Sequence, residues 1–426
     1  MIINLNSMKM KKIIAISVLF LFFGATVTPN SLGIFIEKMA IDLNAEDADS
    51  DPLFDLRINL LMKMGHWPSL SACIIKNDSV VWAEGYGEYN IGSIREASND
   101  TIYLIGSCSK TFIATAILQL YEQGIIDLDD NVSEWLPFDL KNPNYPDVNI
   151  TFRMLLAHQS SRFCTYNGPA GMNYNIFTAA ILIKNALTYC LNPPSDIHEW
   201  LMDYIAPNGS KYDPALWGNY TPDKYYNYSN DGFTILGYLI ENITGQPFDE
   251  YCEQHIFSPL CMNNTSFHPA DLDDDRLSVP YLWYGTYIEL PHYDMGALSP
   301  PGGLRSTIDD LSKYLIAHMN NGTYKNIRIL KNETVNLMHS VQYPNSNYGL
   351  GWIISNTTSG DKIEGHSGGN FGSITGMFAL RNSSIGIIYF FNQYTPRALF
   401  KGSMGPFELL AIQILRNMLF TKGMSL

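Results

Sequence analysis

The sequence predicts an α+β fold: an antiparallel sheet flanked by helices, with an inserted, mostly helical domain. Three observations carry this. Short β-rich runs at 70–75 and 80–83 flank Asn77-Asp78, a hairpin signal. Strand-like segments return only late in the chain, at 350–354, 372–380 and 385–392. The stretch between them shows little period-two alternation, and its clearest element, 231–244, has helical periodicity. The early hairpin and the late strands are therefore expected to share one sheet.

In chain order, Lys9, Lys11 and Lys12 precede an apolar run at 13–23 broken only by Ser17. That is the pattern of an export signal, shorter than the roughly 20 residues a membrane span needs. No Ala-x-Ala site follows, so residues 1–28 read as a signal peptide or an uncleaved N-terminal anchor, and 29–53 as an acidic spacer. The remainder, 54–426, reads as one domain, with its α/β part at about 54–135 and 295–426 and the helical insertion at about 136–294. A short amphipathic helix at 57–64 leads into the hairpin, whose second strand is expected to end at Gly85-Tyr86-Gly87. A helix entered at Ser107 runs through Phe112, Ile113, Ile117 and Leu120 to a stop at Gly124. This helix and the C-terminal one at 407–420 are expected to pack on the faces of the sheet. Thr151 caps a further helix, and 250–256 extends another. Pro300-Pro301-Gly302-Gly303-Leu304 is a sharp turn, after which Ser306 or Thr307 caps a helix reaching His318.

Composition narrows the functions. With 26 Tyr and 21 Phe and a 46% hydrophobic content, the chain can bury a large core and is not a disordered one. A formal net charge of −14 speaks against nucleic acid or anionic lipid as a partner. Membrane contact is expected only through the N-terminal segment. Six cysteines contain no Cys-x-x-Cys, and no Gly-rich phosphate loop opens a helix, so neither a metal nor a cofactor is expected. Cys73 and Cys108 lie in apolar runs and read as buried thiols. Cys164 with Cys190, or Cys252 with Cys261, are candidate pairs in an oxidising compartment. Frequent Asn-x-Ser/Thr sequons suit a secreted or extracytoplasmic glycoprotein, as well as a merely Asn-rich chain.

The chemistry gathers in three clusters. Ser107-Cys108-Ser109-Lys110 is a Ser-x-x-Lys at the start of an apolar helix, which puts Lys110 one turn above Ser107. Burial would lower the lysine pKa far enough for it to act as a base. The bland alternative is an N-cap with a solvated lysine, but the apolar flanks point Lys110 inward. Tyr228-Ser229-Asn230 stands at a loop-to-helix junction; two cations, Lys110 and a protonated His366, would favour its phenolate. Gly365-His366-Ser367-Gly368-Gly369 lies between strands and also matches Gly-x-Ser-x-Gly, the nucleophile elbow. That elbow needs an acid and then a histidine downstream. After Ser367 there is no His and no Asp, only Glu408, so the elbow reading fails.

Ser-x-x-Lys, Tyr-x-Asn and His-x-Gly, in that order, resemble the serine hydrolases of the β-lactamase and penicillin-binding-protein superfamily. The likeness is to the class C branch, with its carboxypeptidases, D-aminopeptidases and family VIII-type esterases. Supporting segments are 82–89, 151–161 and 302–311, and the likeness spans roughly 55–420. It implies an acyl-enzyme at Ser107 with Lys110 and Tyr228 as catalytic partners. Asn230 would orient Lys110 and the substrate, His366 would be the third-motif cation, and Gly368 and Gly369 would leave room for the acyl group. Backbone N–H groups of Ser107 and Gly369 would form the oxyanion hole. The implied substrate is a small peptide, ester or β-lactam-like molecule. His366 departs from the Lys-Thr-Gly usual in class C β-lactamases, so acyl transfer is better supported than β-lactam hydrolysis. A second function class, the same fold kept as a weakly acylated binding or sensor protein, is disfavoured by the intact Ser107, Lys110 and Tyr228.

Overall fold

The computed structural model describes residues 52–164, 193–283, 285–357, 360–394 and 406–426, all within the unit Ala48–Leu426. Its centre is a seven-stranded antiparallel sheet. β1 (Ser69–Lys76), β2 (Ser79–Asn90) and β3 (Arg95–Glu96) come from the start of the chain. β4 (Ile353–Asn356), β5 (Lys362–Asn370), β6 (Ser373–Leu380) and β7 (Ile385–Phe391) come from its end. The order is β4-β5-β6-β7-β1-β2-β3, so the two halves of the chain meet where β1 pairs β7, with Ala72 opposite Tyr389 and Cys73 opposite Ile388. Both strands are buried along almost their whole length, as a central pair covered on both faces must be.

Among the described residues the longer helices are α1 (Pro52–Gly65), α2 (Ser109–Glu122), α3 (Asn230–Thr244), α4 (Ile308–Met319) and α5 (Pro406–Ser425). α5 buries Ala411, Leu415 and Leu419 with Phe54 and Ile58 of α1 and Ile74, Ile387 and Tyr389 of the sheet. The opposite face is covered by α4, whose Leu315 lies in one cluster with Cys73, Ile388 and Phe390. α4 starts at the Thr307 cap, whose hydroxyl accepts from the Asp310 N–H at 3.1 Å.

Four expectations are corrected. α2 does not lie on the sheet as a two-faced helix. Its residues from Ser109 to Leu118 are all buried, and Phe112 stacks on Tyr314 of α4 at 3.9 Å and meets Phe257 at 5.5 Å. A helix apolar all round has to be enclosed, so α4 takes the sheet and α2 sits between it and the helical part. β2 runs through Gly85 and Gly87 to Asn90. A Cβ on Gly85 would lie 2.0 Å from the Ala97 carbonyl oxygen, so that glycine admits a crossing chain instead of ending the strand. The insertion carries a strand pair, Tyr281–Trp283 with Tyr287–Glu289, which joins Gln393–Tyr394 in a three-stranded sheet. Cys252 is buried and Cys261 exposed, both free, and Cys164 is a free buried thiol. Cys190 and the N-terminal signal or anchor lie outside the described residues.

One ion cluster ties the helical part together. His268 lies 2.8 Å from Asp249 and 2.8 Å from Asp294. These two bonds, to Asp249 first, raise its pKa to about 10 against the loss from burial. A raised folded-state pKa gives stability that is complete below the unfolded value near 6.5 and is lost as pH rises through about 10. The melting-temperature advantage of the wild type over His268→Gln should therefore be full near pH 6, shrink as pH rises above about 6.5 and be gone by about pH 10. A pH-independent difference would show that the imidazolium charge is not what the clamp uses.

Candidate active site

The site begins where the strand pair Tyr103–Leu104 and Arg305–Ser306 delivers the chain into a tight turn, Gly106–Cys108, that opens α2. Gly106 has φ +53, and a Cβ there would lie 2.7 Å from the Gly369 nitrogen. A Cβ on Gly368 would lie 2.0 Å from the Ile105 carbonyl oxygen and 2.2 Å from Thr375 Oγ1. The turn and β5 thus touch backbone to backbone, which only glycine allows. Thr375 Oγ1 donates to the Ile105 carbonyl at 2.7 Å. Ser109 Oγ donates to the Gly106 carbonyl at 2.6 Å and accepts from the Leu304 N–H at 3.1 Å. Ser107 is left partly exposed on this clamped turn, while Cys108, Ser109 and Lys110 are buried. Gly368 serves this contact, and Gly369 is the exposed glycine beside the serine.

Lys110 is wholly buried. Its Nζ lies 3.1 Å from Ser107 Oγ and donates to the Pro301 carbonyl at 2.6 Å, 5.0 Å from the ring centre of Tyr228. Burial lowers its pKa from 10.5 to about 7. Among the described residues neither of its hydrogen bonds goes to Asn230. The expected orienting role of Asn230 is taken by the Pro301 carbonyl, in the Pro-Pro-Gly-Gly turn. Asn230 opens α3, and its N–H donates to Cys164 Sγ at 2.9 Å.

Tyr228 reaches the same place from the loop before α3, and its hydroxyl interacts with the Ser107 side chain. Burial holds its pKa well above 10, and the bond with Ser107 offsets only part of this. It is a neutral phenol, not the phenolate the sequence expectation allowed. His158 packs on its ring at 4.3 Å and accepts the Ser229 N–H at Nδ1, 3.1 Å away, fixing the loop that carries the tyrosine.

His366 is not a cation. Its Nδ1 is 2.5 Å from the Ser367 carbonyl, which can only accept, so Nδ1 carries the proton. Its Nε2 is 2.6 Å from the Tyr348 hydroxyl, which then donates. Burial first, and then the charge of Lys110, lower its pKa to about 3. The expected third-motif cation is therefore a neutral imidazole, because the residue is buried beside an amine and both its nitrogens are bonded. Ser367 is exposed in the middle of β5, with strand on both sides, so it has no elbow geometry.

Residues 54–402 match the family model described as Beta-lactamase. The chain belongs to the Beta-lactamase family. Protein flp of Staphylococcus aureus strain MW2 is 26% identical over 356 residues, covering 82% of this chain and 65% of that protein. The chain thus spans about two thirds of the length of that curated relative. An octameric penicillin-binding protein homologue from Pyrococcus abyssi has a TM-score of 0.69 at 26% identity, covering 86% of this chain and 78% of the other. A D-stereospecific amidohydrolase from Streptomyces sp. gives 0.62 at 25%, covering 79% and 94%.

In this Beta-lactamase family member the roles of Tyr348, of the Pro301 carbonyl and of a buried chain behind the site were not legible in the sequence. Glu364, two residues before His366, accepts from His339 Nδ1 at 2.6 Å. His339 Nε2 faces His318 Nδ1 at 3.2 Å, and His318 Nε2 faces Thr115 Oγ1 of α2 at 3.4 Å. The carboxylate can only accept, so His339 Nδ1 carries a proton, and with both imidazoles neutral every proton along the chain points toward the carboxylate. Burial lowers both histidine pKa values, while the bonds from His339 and Lys362 overcome burial and bring Glu364 to about 2. The chain fixes β5 against α2, the helix that carries Lys110. Widely spaced histidines gave no signal of it.

A buried lysine with a lowered pKa costs stability wherever it is charged. The unfolded chain binds its proton more tightly, so wild-type stability should rise relative to Lys110→Met between pH about 7 and 10.5. The change should be on the order of a few kcal/mol in urea unfolding. A flat difference across that range would mean Lys110 is not held in the low-pKa environment described.

Proposed function

We propose that this protein is an exported serine hydrolase that cleaves amides or esters through an acyl-enzyme at Ser107. One observation carries the reading: an amine with a pKa of about 7 lies 3.1 Å from a partly exposed serine hydroxyl at the start of a helix. Neutral Lys110 takes the Ser107 proton as the oxygen attacks the substrate carbonyl. Its other hydrogen bond, to Pro301, keeps the lone pair aimed at Ser107. The backbone N–H groups of Ser107 and Gly369 would hold the oxyanion, a reading supported by the close approach of the Gly106 turn, where a Cβ would lie 2.7 Å from the Gly369 nitrogen. Collapse expels the leaving group, which takes a proton through the Tyr228 hydroxyl. Water then attacks the acyl-serine by the same route, returning the Ser107 hydroxyl and releasing the acid. The D-stereospecific amidohydrolase likeness supports an amide-cleaving member, and the N-terminal pattern supports export.

A fluorophosphonate or a penicillin should add its mass to the peptide containing Ser107, and Ser107→Ala should abolish this. Mass added at Ser367 would defeat the proposal. With an activated ester, kcat/KM should rise with pH through about 7 as Lys110 loses its proton. Ser107→Ala should lower kcat by at least about 10³-fold, and Tyr228→Phe by about 10²–10⁴-fold.

A further inference from the structure

The Asn-x-Ser/Thr sequons form a pattern that the acyl-enzyme chemistry does not use. They occur fourteen times, none with Pro in the middle. With 36 Asn and 55 Ser or Thr among 426 residues, random placement would give about four or five. An Asn-rich composition therefore does not account for the number. None of the fourteen asparagines is buried, and ten are exposed. Four of the ten gather at one end of the central sheet. Asn77 is in the β1–β2 hairpin, and its backbone N–H donates to the Ser384 carbonyl at 2.7 Å. Asn382 lies in the turn between β6 and β7. Asn321, just after α4, accepts from Arg381 of that same turn through its side-chain oxygen, which leaves Nδ2 out of the bond. Asn356 ends β4 opposite Lys362, the first residue of β5. The catalytic turn touches the other end of β5, at Gly368 and Gly369. Along the strand, Lys362 and Gly369 are about 23 Å apart. One sequon, Asn227-Tyr228-Ser229, lies in the site itself. There the Asn227 Nδ2 donates to the Arg162 carbonyl at 3.1 Å, and the Ser229 hydroxyl is buried as the cap of α3.

We propose that this protein carries N-linked oligosaccharides on the turn end of its sheet, at Asn77, Asn321, Asn356 and Asn382, with Asn227 beside the catalytic tyrosine left unmodified. The donor is an oligosaccharide on a polyprenyl phosphate or diphosphate, brought by a transferase outside the cytoplasm. Nδ2 bonds to the sugar C1 as the bond from C1 to the carrier oxygen breaks. The carrier leaves with the electron pair as a lipid phosphate, and the amide gives up one proton. The Ser or Thr hydroxyl two residues on is part of what the transferase reads. A bulky, hydrated glycan there covers the turns of the sheet and stays clear of Ser107. The proposal rests on the export proposed above and not on the acyl-enzyme step.

Tandem mass spectrometry of peptides from the full chain, purified from the cells that make it, tests this. Peptides holding Asn77, Asn321, Asn356 and Asn382 should carry added sugar mass and release sugar-fragment ions, while the Asn227 peptide keeps its bare mass. Ser384→Ala should strip the sugar from Asn382 alone, because it removes the acceptor hydroxyl and keeps both the asparagine and the turn. Asn→Gln at all four positions should remove their glycans and leave kcat/KM on an activated ester within about twofold, as expected of changes far from the site. Bare peptides at all four positions, in chain recovered outside the cytoplasm, would overturn the proposal. So would sugar kept on Asn382 in Ser384→Ala, or sugar on Asn227 in an active chain. If the fourfold variant does not fold, the wild-type peptides and Ser384→Ala decide. Bare peptides in a chain found only in the cytoplasm would overturn export as well, and none of these results would touch the acyl-enzyme at Ser107.

Discussion

The structure depends on an amine kept out of water. Lys110 has no exposed surface, touches Ser107 Oγ and the Pro301 carbonyl, and is ringed by Tyr228 and Phe233. A charged ammonium there would be costly, so burial pulls its pKa toward neutrality and makes a base out of a residue that is normally an acid. Everything around it keeps that enclosure dry and in register. α2 is buried on all sides, the Pro300–Gly303 turn closes over the amine, and aromatic rings fill the rest.

The second constraint is distance. Gly106 and Gly368 let the nucleophile turn lie on β5 with nothing between the backbones, and Thr375, Ser373 and Ser109 fasten it there by hydroxyl bonds to main-chain groups. The Glu364–His339–His318–Thr115 chain fastens the same strand to α2 from behind. Two layers of polar contacts therefore define where Ser107 sits relative to the strand, one at the surface of the site and one deep in the core. Both run through neutral groups except the Glu364 carboxylate at the far end. A charge placed nearer Lys110 would shift the pKa on which the base depends.

His366 shows how much a motif position leaves undecided. On the residue alone, a histidine near pKa 6.5 reads as a partial cation. In the fold it is buried beside Lys110, with its Nδ1 donating to the Ser367 carbonyl and Tyr348 donating to its other nitrogen, and it becomes a neutral element of the wall. Tyr348 lies 18 residues away in sequence. The same holds for Pro301, which does the work expected of Asn230 from a turn 191 residues beyond Lys110.

The sequence by itself determined what local physics can encode. The Asn77-Asp78 hairpin, the Thr151 cap, a cap at Ser306 or Thr307, the helix at Asn230 and the strands β6 and β7 were legible from turn chemistry and period, whereas the glycine-rich β5 was not. The Ser107–Lys110 pair was legible because helical pitch sets it. Only the tertiary structure decided which helix covers the sheet, that β2 continues past its glycines, which carbonyl holds the lysine, and which protonation states the tyrosine and histidine keep. Those outcomes turn on desolvation and on hydrogen-bond partners brought from remote parts of the chain. No window of sequence contains either.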